Sequence, residues 1–507
     1  MNFLSLFILI PLLMLLALWL AKGEKGIRAV MVVGSSALLT LAIVLTVKFL
    51  ADRAGGNTAE MLYTADFVWF EPLHIKYSVG VDGISVAMLL LSGVIVFTGT
   101  FVSWEMCKEY FLWFTLLSLG VFGFFISNDM FMMFMFYEIA LIPMYLLIGV
   151  WGTGPKEYAA MKLTLMLMGA SAFLMMGIFG IFYSAGGNTM NILDIAHHTG
   201  DAHPIDFARQ CIWFPLTFVG FGVLGALFPF HTWSPDGHAS APTAVSMLHA
   251  GVLMKLGGYG CFRIAIYLLP EAANELNWIF LILAGTGVVY GALSACVQTD
   301  LKYLNAYSSV SHCGLVLFAI LMLTTTASTG AVLQMLSHGL MTALFFAVIG
   351  MIYHRADTRD IRQLNGLMTV VPFLSVAFAI AALANLGLPG LSGFIAEMTI
   401  FVGSFQNPDT FHRVLTIAAT TSIVIAAVYM LRTVGKILYG VCTDPIQKKM
   451  HDAHWEERLA VVVLIACIAG IGLAPSWISH LIENSVVPVI DNVKSVSHLV
   501  SQCNPFL

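Results

Sequence analysis

Long apolar runs alternate with short polar connections from one end of the chain to the other. Leu, Ile, Val, Phe, Met and Ala dominate residues 3–21, 28–50, 82–103, 111–127, 130–150, 162–184 and 211–231. The same holds for 242–267, 277–298, 302–324, 329–352, 371–403, 415–440 and 458–478. A helix crossing the hydrocarbon core of a bilayer needs about 20 apolar residues. The pattern therefore predicts an all-α polytopic membrane protein of about fourteen transmembrane helices. The roughly ten-residue alternating segments of a membrane barrel do not occur. The longer connections, 51–81, 185–210 and 440–457, are too short for a folded domain. The opening stretch has no basic segment ahead of its apolar run and no small-residue cleavage site, so it reads as a retained first span.

Composition agrees with this reading. The chain is 59% hydrophobic and 10% charged, whereas a soluble domain carries about 25% charged residues. Most Lys and Arg residues fall in one alternating set of connections, among them Lys22, Lys25, Lys156, Lys162, Lys302, Arg355 and Arg359. The other set is richer in Asp and Glu, and its few cations include Lys76, Arg209 and Arg263. The positive-inside bias makes the first set cytoplasmic and puts both termini on the periplasmic side. Eight cysteines lie scattered without a paired or metal-ligand spacing. No phosphate-cradling glycine loop is present, and a net charge of −5 argues against a nucleic-acid partner. No redox centre, metal or cofactor is expected in this chain.

The candidate chemistry lies inside the spans. Glu138, Lys255 and Glu397 sit near span centres, where a charge is costly and commonly lines a pathway. A structural ion pair is the plainer explanation for any one of them; three in one chain favour a pathway. Small residues, Gly251 and Gly258, share a helix face with Lys255 and leave room for water or a close helix. His249 lies six positions earlier. Two neighbouring spans carry polar stripes, one with Asn305, Ser308 or Ser309 and His312, the other with Gln334, His338 and Thr342. Such stripes suit interhelical hydrogen bonding, but consecutive histidine-bearing stripes also suit a hydrated proton relay. Pro229 and Pro235, around His231, and Gly387 and Pro389 are expected to break the seventh and twelfth spans. Broken helices in corresponding halves point to a transport site.

These residues resemble those of a known family. "FYEIALIPMYLLIGVWG", "FPFHTWSPDGHASAPTAVSMLHAGVLMKLGGYG", "DLKYLNAYSSVSHCG", "QMLSHGL" and "GLPGLSGFIAEMTIFVGSF" resemble, in order, motifs of the antiporter-like subunits of respiratory complex I (NADH-quinone oxidoreductase), and most closely its M-type subunit. The resemblance implies two inverted five-helix repeats, spans 4–8 and 9–13. It suggests a division into 1–110, 111–267, 277–440 and 441–507. It implies a proton-translocating membrane-arm subunit with L- and N-type neighbours, whose FMN, iron–sulfur clusters and quinone belong to partner subunits.

It further implies proton-transfer roles for Glu138, Lys255 and Glu397, with His249, His312 and His338 feeding Lys255 and with Lys162, His231 and Lys302 as supporting groups. Glutamate at 397 is the M-type pattern, where L- and N-type subunits and Mrp antiporters typically have lysine. The family's seventh-span lysine, the usual partner of the fifth-span glutamate, aligns with Leu224. Glu138 is then expected to pair with Lys162, His231 or His249, or with an adjacent subunit, and a hydrated link toward His249 and Lys255 is favoured. An Mrp-type cation/proton antiporter and a hydrogenase- or ferredoxin-linked pump are the alternative functions. The expected location is the bacterial cytoplasmic membrane.

Overall fold

The computed structural model describes residues 2–197, 205–442 and 444–503, the side chains of 496–503 excepted, so the last four residues of the expected C-terminal tail lie outside it. The chain opens with α1 (Leu6–Leu20) and α2 (Gly23–Ala54), followed by a hairpin of β1 (Leu62–Phe70) and β2 (Ile75–Val81). Next come α3 (Gly83–Val102), α4 (Lys108–Ile126), α5 (Met130–Trp151), α6 (Lys156–Ser184) and a short α7 (Ile192–Ala196). The stretch α8 (Phe207–Leu224), α9 (Trp233–Ser240), α10 (Thr243–Leu248) and α11 (Met254–Gly260) is interrupted. Then follow α12 (Pro270–Cys296), α13 (Leu301–Leu321), α14 (Thr325–Ala356) and α15 (Leu367–Val370). The chain finishes with α16 (Pro372–Asn385), α17 (Ser392–Phe405), α18 (Thr410–Leu438), α19 (Trp455–Leu473) and α20 (Ser476–Cys503).

Helices dominate because a bilayer offers no hydrogen-bond partners and each span must satisfy its own backbone. Polar caps set where they begin. The Asp129 carboxylate accepts from the N–H groups of Phe131 (3.0 Å) and Met132 (3.1 Å) at the start of α5, and Asp300 does the same for Lys302 (2.8 Å) and Tyr303 (3.3 Å) at α13. Burial separates the core from the periphery. The apolar window of α14 is 100% buried and that of α13 is 94% buried, against 33% for α18, so α13 and α14 form the centre and α18 faces outward.

Among the described residues, eleven helices are long and apolar enough to cross a membrane, and α19 with α20, bent by 75°, makes a twelfth. The expected count of about fourteen spans, two of them broken, is therefore not reached by helix length and composition. The two missing ones are 242–267 and 371–403. In the first, π-helical turns at His249–Leu253 and Cys261–Ile266 flank α11. In the second, residues 386–391 separate α16 from α17, with Gly387 at φ +73° and Gly390 at φ +94°. Only glycine adopts such a backbone without strain. Pro389 falls in this break, and Pro229, after a cis peptide bond, falls in the break between α8 and α9. Pro235 does not break a helix. It occupies the first turn of α9, where its missing N–H would have had no intrahelical partner.

Two elements are absent from the hydrophobic pattern. The antiparallel hairpin runs from Leu62 opposite Val81 to Phe70 opposite Ile75. It is tied to the start of α5 by the Lys76 N–H on Asp129 Oδ2 (3.1 Å). Helix α20 lies along the same face, where Ser485 Oγ accepts from the Gly83 N–H (2.8 Å) and Asn492 donates to the Tyr267 carbonyl (3.2 Å).

Candidate functional site

Lys255 lies on α11, and its side chain is buried at 2% exposure. A buried ammonium needs acceptors. It has two: the Ala250 carbonyl, five residues earlier in the π turn, and His338 Nδ1 on α14 at 2.7 Å. An ammonium donating to Nδ1 leaves the proton of a neutral His338 on Nε2, which has no hydrogen-bond partner among the described residues. The ring of His312 on α13 lies 5.3 Å from that of His338. Gln334 Nε2 is 2.9 Å from His312 Nδ1, and Asn385 Oδ1 is 3.4 Å from Nε2. This pairing likewise leaves the His312 proton on Nε2. Glu397 on α17 follows, with Oε1 3.6 Å from His312 Nδ1. Lys255, His338, His312 and Glu397 thus form one contiguous row through the buried centre.

Small cavities flank both ends of the row. One of about 10 Å³ is lined by Lys255, Gly258, Gly225 and Cys313. A second of about 10 Å³ is lined by His312, Glu397, Ser311, Ser422 and Tyr429. Each is about the size of a single water position. Gly258 therefore borders space beside Lys255. Both glycines also serve close helix contact, since a Cβ would come 2.5 Å from Ile95 at Gly251 and 2.9 Å from Met335 Sδ at Gly258. The break between α16 and α17 packs directly on the carboxylate: a Cβ on Gly387 would sit 2.7 Å from Glu397 Oε2.

His249 is fully buried between the Trp233 ring, at 5.3 Å, and the His238 ring, at 4.2 Å. Both its ring nitrogens lack partners among the described residues. His238 was not among the sequence candidates, and its Nε2 reaches Met254 Sδ at 3.2 Å. Its signal was its place four residues after Ser234, on the inner face of the first helical turns following the break.

The cations near the breaks hold backbone. Lys302 is only 2% exposed and donates to the Ala241 carbonyl (2.8 Å). Arg359 donates to the Ala239 carbonyl (2.8 Å) and pairs with Asp300 (2.6 Å). These carbonyls flank the junction of α9 and α10, where no continuing helix supplies N–H donors to them. His231 stacks on Phe228 (5.5 Å) and meets the Tyr290 ring edge-on (5.0 Å).

Among the described residues, Glu138 has no ion pair or hydrogen bond with Lys162, His231 or His249, the partners expected within the chain. Lys162 ion-pairs with Asp236 at 2.7 Å, and Tyr303 donates to the same carboxylate at 3.1 Å. His231 and His249 make the ring contacts described. Glu138 Oε1 is buried with no hydrogen-bond partner among the described residues, and the neighbouring polar side chain is Ser171 on α6. Leu224, where a partner lysine was sought, is fully buried at the end of α8. Arg263 also departs from expectation. It lies 1% exposed in the second π turn, not in a connection, and pairs with Asp82. That aspartate caps α3.

Residues 127–431 match the family described as "NADH:quinone oxidoreductase/Mrp antiporter, TM". The chain is 32% identical over 493 residues to NADH-quinone oxidoreductase subunit M of Rickettsia conorii, covering 95% of this chain and 97% of that protein. It is 33% identical over 504 residues to NAD(P)H-quinone oxidoreductase chain 4 1 of a Synechococcus species, covering 97% and 93%. Its fold matches a chain in the structure titled "Respiratory complex I from Thermus thermophilus with bound NADH", with a TM-score of 0.87 at 24% identity, covering 97% of this chain and 99% of that one.

Proposed function

The chain belongs to the NADH:quinone oxidoreductase/Mrp antiporter membrane family, and on that premise we propose that it is the M-type proton-translocating subunit in the membrane arm of a NADH-quinone oxidoreductase. The observation that carries this reading is the contiguous row of Lys255, His338, His312 and Glu397. Each member can hold or pass a proton, and the row joins the π-turned helix of the first half to the broken span of the second. On this reading the stretches 242–267 and 371–403 complete fourteen spans, arranged as two inverted five-helix repeats, 111–267 and 277–440.

Redox chemistry in partner subunits, at FMN, iron–sulfur clusters and quinone, supplies the driving force. L- and N-type subunits flank this one in a bacterial cytoplasmic membrane, with both termini periplasmic. Lys255 holds the central proton. His338 accepts it from Lys255 at Nδ1 and releases its Nε2 proton toward His312. Glu397 hands the charge on. Glu138, without an ion partner among the described residues, senses the charge state of a neighbouring subunit, and its proton occupancy follows that charge. Lys302 and Arg359 hold the α9–α10 junction that admits protons from the cytoplasmic side.

Inverted membrane vesicles carrying Lys255→Ala test the reading. NADH-driven acidification, followed with a pH-sensitive dye, is expected to fall severalfold while the complex still assembles. Undiminished acidification at equal assembly refutes it.

A further inference from the structure

The helix that carries Lys255 also carries Tyr259, Arg263 and Tyr267, each four residues beyond the last. On a helix that spacing aligns them in one stripe, and eight residues from Lys255 to Arg263 span about 12 Å. The stripe ends at the face covered by the hairpin and α20. There Tyr267 donates to Glu60 Oε1 (2.6 Å), and Glu60 Oε2 meets His197 Nε2 (2.6 Å). A cavity of about 250 Å³ adjoins them, lined by His197, Tyr267, Asp491 and Asn492. The small cavity beside Lys255 stands at the other end. A proton held on Lys255 therefore has a short way out along its own helix, in competition with the longer row through His338, His312 and Glu397.

Arg263 stands in the middle of that short way. Its guanidinium pairs with Asp82, and its Cζ lies 5.8 Å from the Tyr259 ring centroid, whose hydroxyl bonds Ser85 Oγ (2.8 Å). Its Nε and Nη1 have no partners among the described residues. Asp82 is itself immobilised, because its Oδ1 accepts from the Ser85 N–H (2.8 Å) as the cap of α3.

We propose that Arg263, anchored by Asp82, is a proton block that closes the short route and obliges a proton on Lys255 to leave through His338. Proton hopping requires every member of a chain both to accept and to donate. Tyrosine, histidine, carboxyl groups and water do so; a guanidinium has five donors and no acceptor, and does not deprotonate. Its positive charge also repels an approaching hydronium, the device by which an arginine excludes protons from other pores. This block rests on the reading of Lys255 as a proton carrier.

The test measures passive proton entry into liposomes containing the whole complex, with an internal pH dye, an imposed pH step, a potassium ionophore and no NADH. Arg263→Gln both donates and accepts and frees space for water, so it is expected to leak severalfold above the unmodified complex. Asp82→Leu combined with Arg263→Met replaces the pair with apolar groups and is expected to stay tight. Equal permeability of Arg263→Gln and the unmodified complex, at equal assembly, overturns the proposal; so does a leak from the apolar double variant. Should Arg263→Gln not assemble, Arg263→His decides, since an imidazole both accepts and donates a proton and is expected to leak; a tight Arg263→His refutes the block. A tight Arg263→Gln with pumping lost in Lys255→Ala sinks the block alone. A tight Arg263→Gln with normal pumping in Lys255→Ala sinks the functional reading beneath it.

Discussion

Two glycines in one helix break separate backbone strain from function. Gly387 and Gly390 both have positive φ, at +73° and +94°. Alanine at either position costs about 1–2 kcal/mol of backbone strain, a factor of roughly 5–30 in a folding or assembly equilibrium. Their surroundings differ. A Cβ on Gly390 meets nothing within 4 Å, whereas one on Gly387 falls 2.7 Å from Glu397 Oε2. That separation is too short for carbon and oxygen, so the flexible carboxylate must swing away. The His312–Glu397 separation is already 3.6 Å, beyond a direct hydrogen bond, and any further displacement widens the hand-over gap. Gly387→Ala and Gly390→Ala are therefore expected to lower the thermal stability of the detergent-solubilised complex alike. Only Gly387→Ala is expected to lower the protons moved per NADH oxidised, by severalfold, in proteoliposomes with a pH-sensitive dye. Equal proton-to-NADH ratios for the two variants would refute the idea that this break positions Glu397.

Because Lys162 engages Asp236 and not Glu138, Glu138→Gln and Lys162→Met should affect pumping independently, with the double variant's loss matching the two single losses combined to within about 0.5 kcal/mol; a marked shortfall would mean that the two groups act as a pair. His312→Gln keeps side-chain groups able to face Gln334 and Asn385 but cannot carry a proton, so assembly on native gels should persist while the proton-to-NADH ratio drops. An unchanged ratio would reduce His312 to an interhelical hydrogen bond.

Much of the fold and part of the site are legible in order along the chain. Apolar run length predicts membrane helices because the bilayer thickness sets it. The cost of burying charge singles out Glu138, Lys255 and Glu397, and glycine and proline mark the interruption at 386–391 through their own backbone restrictions. Pro235 misleads because the effect of a proline depends on its position within a helix, and that position is set by where the preceding break ends. The hairpin and α20 escape a reading of apolar runs because their polar residues attach them to one face of the bundle.

The partners are a different matter. Lys255 meets His338 across 83 positions, and Arg263 meets Asp82 across 181. Lys162 is drawn to Asp236, the His249 ring packs on His238, and Glu138 Oε1 is left without a hydrogen-bond partner among the described residues. The sequence alone determined which residues enter the membrane and which of them are expensive to keep there, since both follow from local composition and spacing. Which costly residue neutralises which was decided only by the packing of helices distant in the chain. The π turns around Lys255 and Arg263 likewise became visible only in the structure, because hydrogen-bonding and charge pairing act over a few ångströms of space, whatever the distance along the chain.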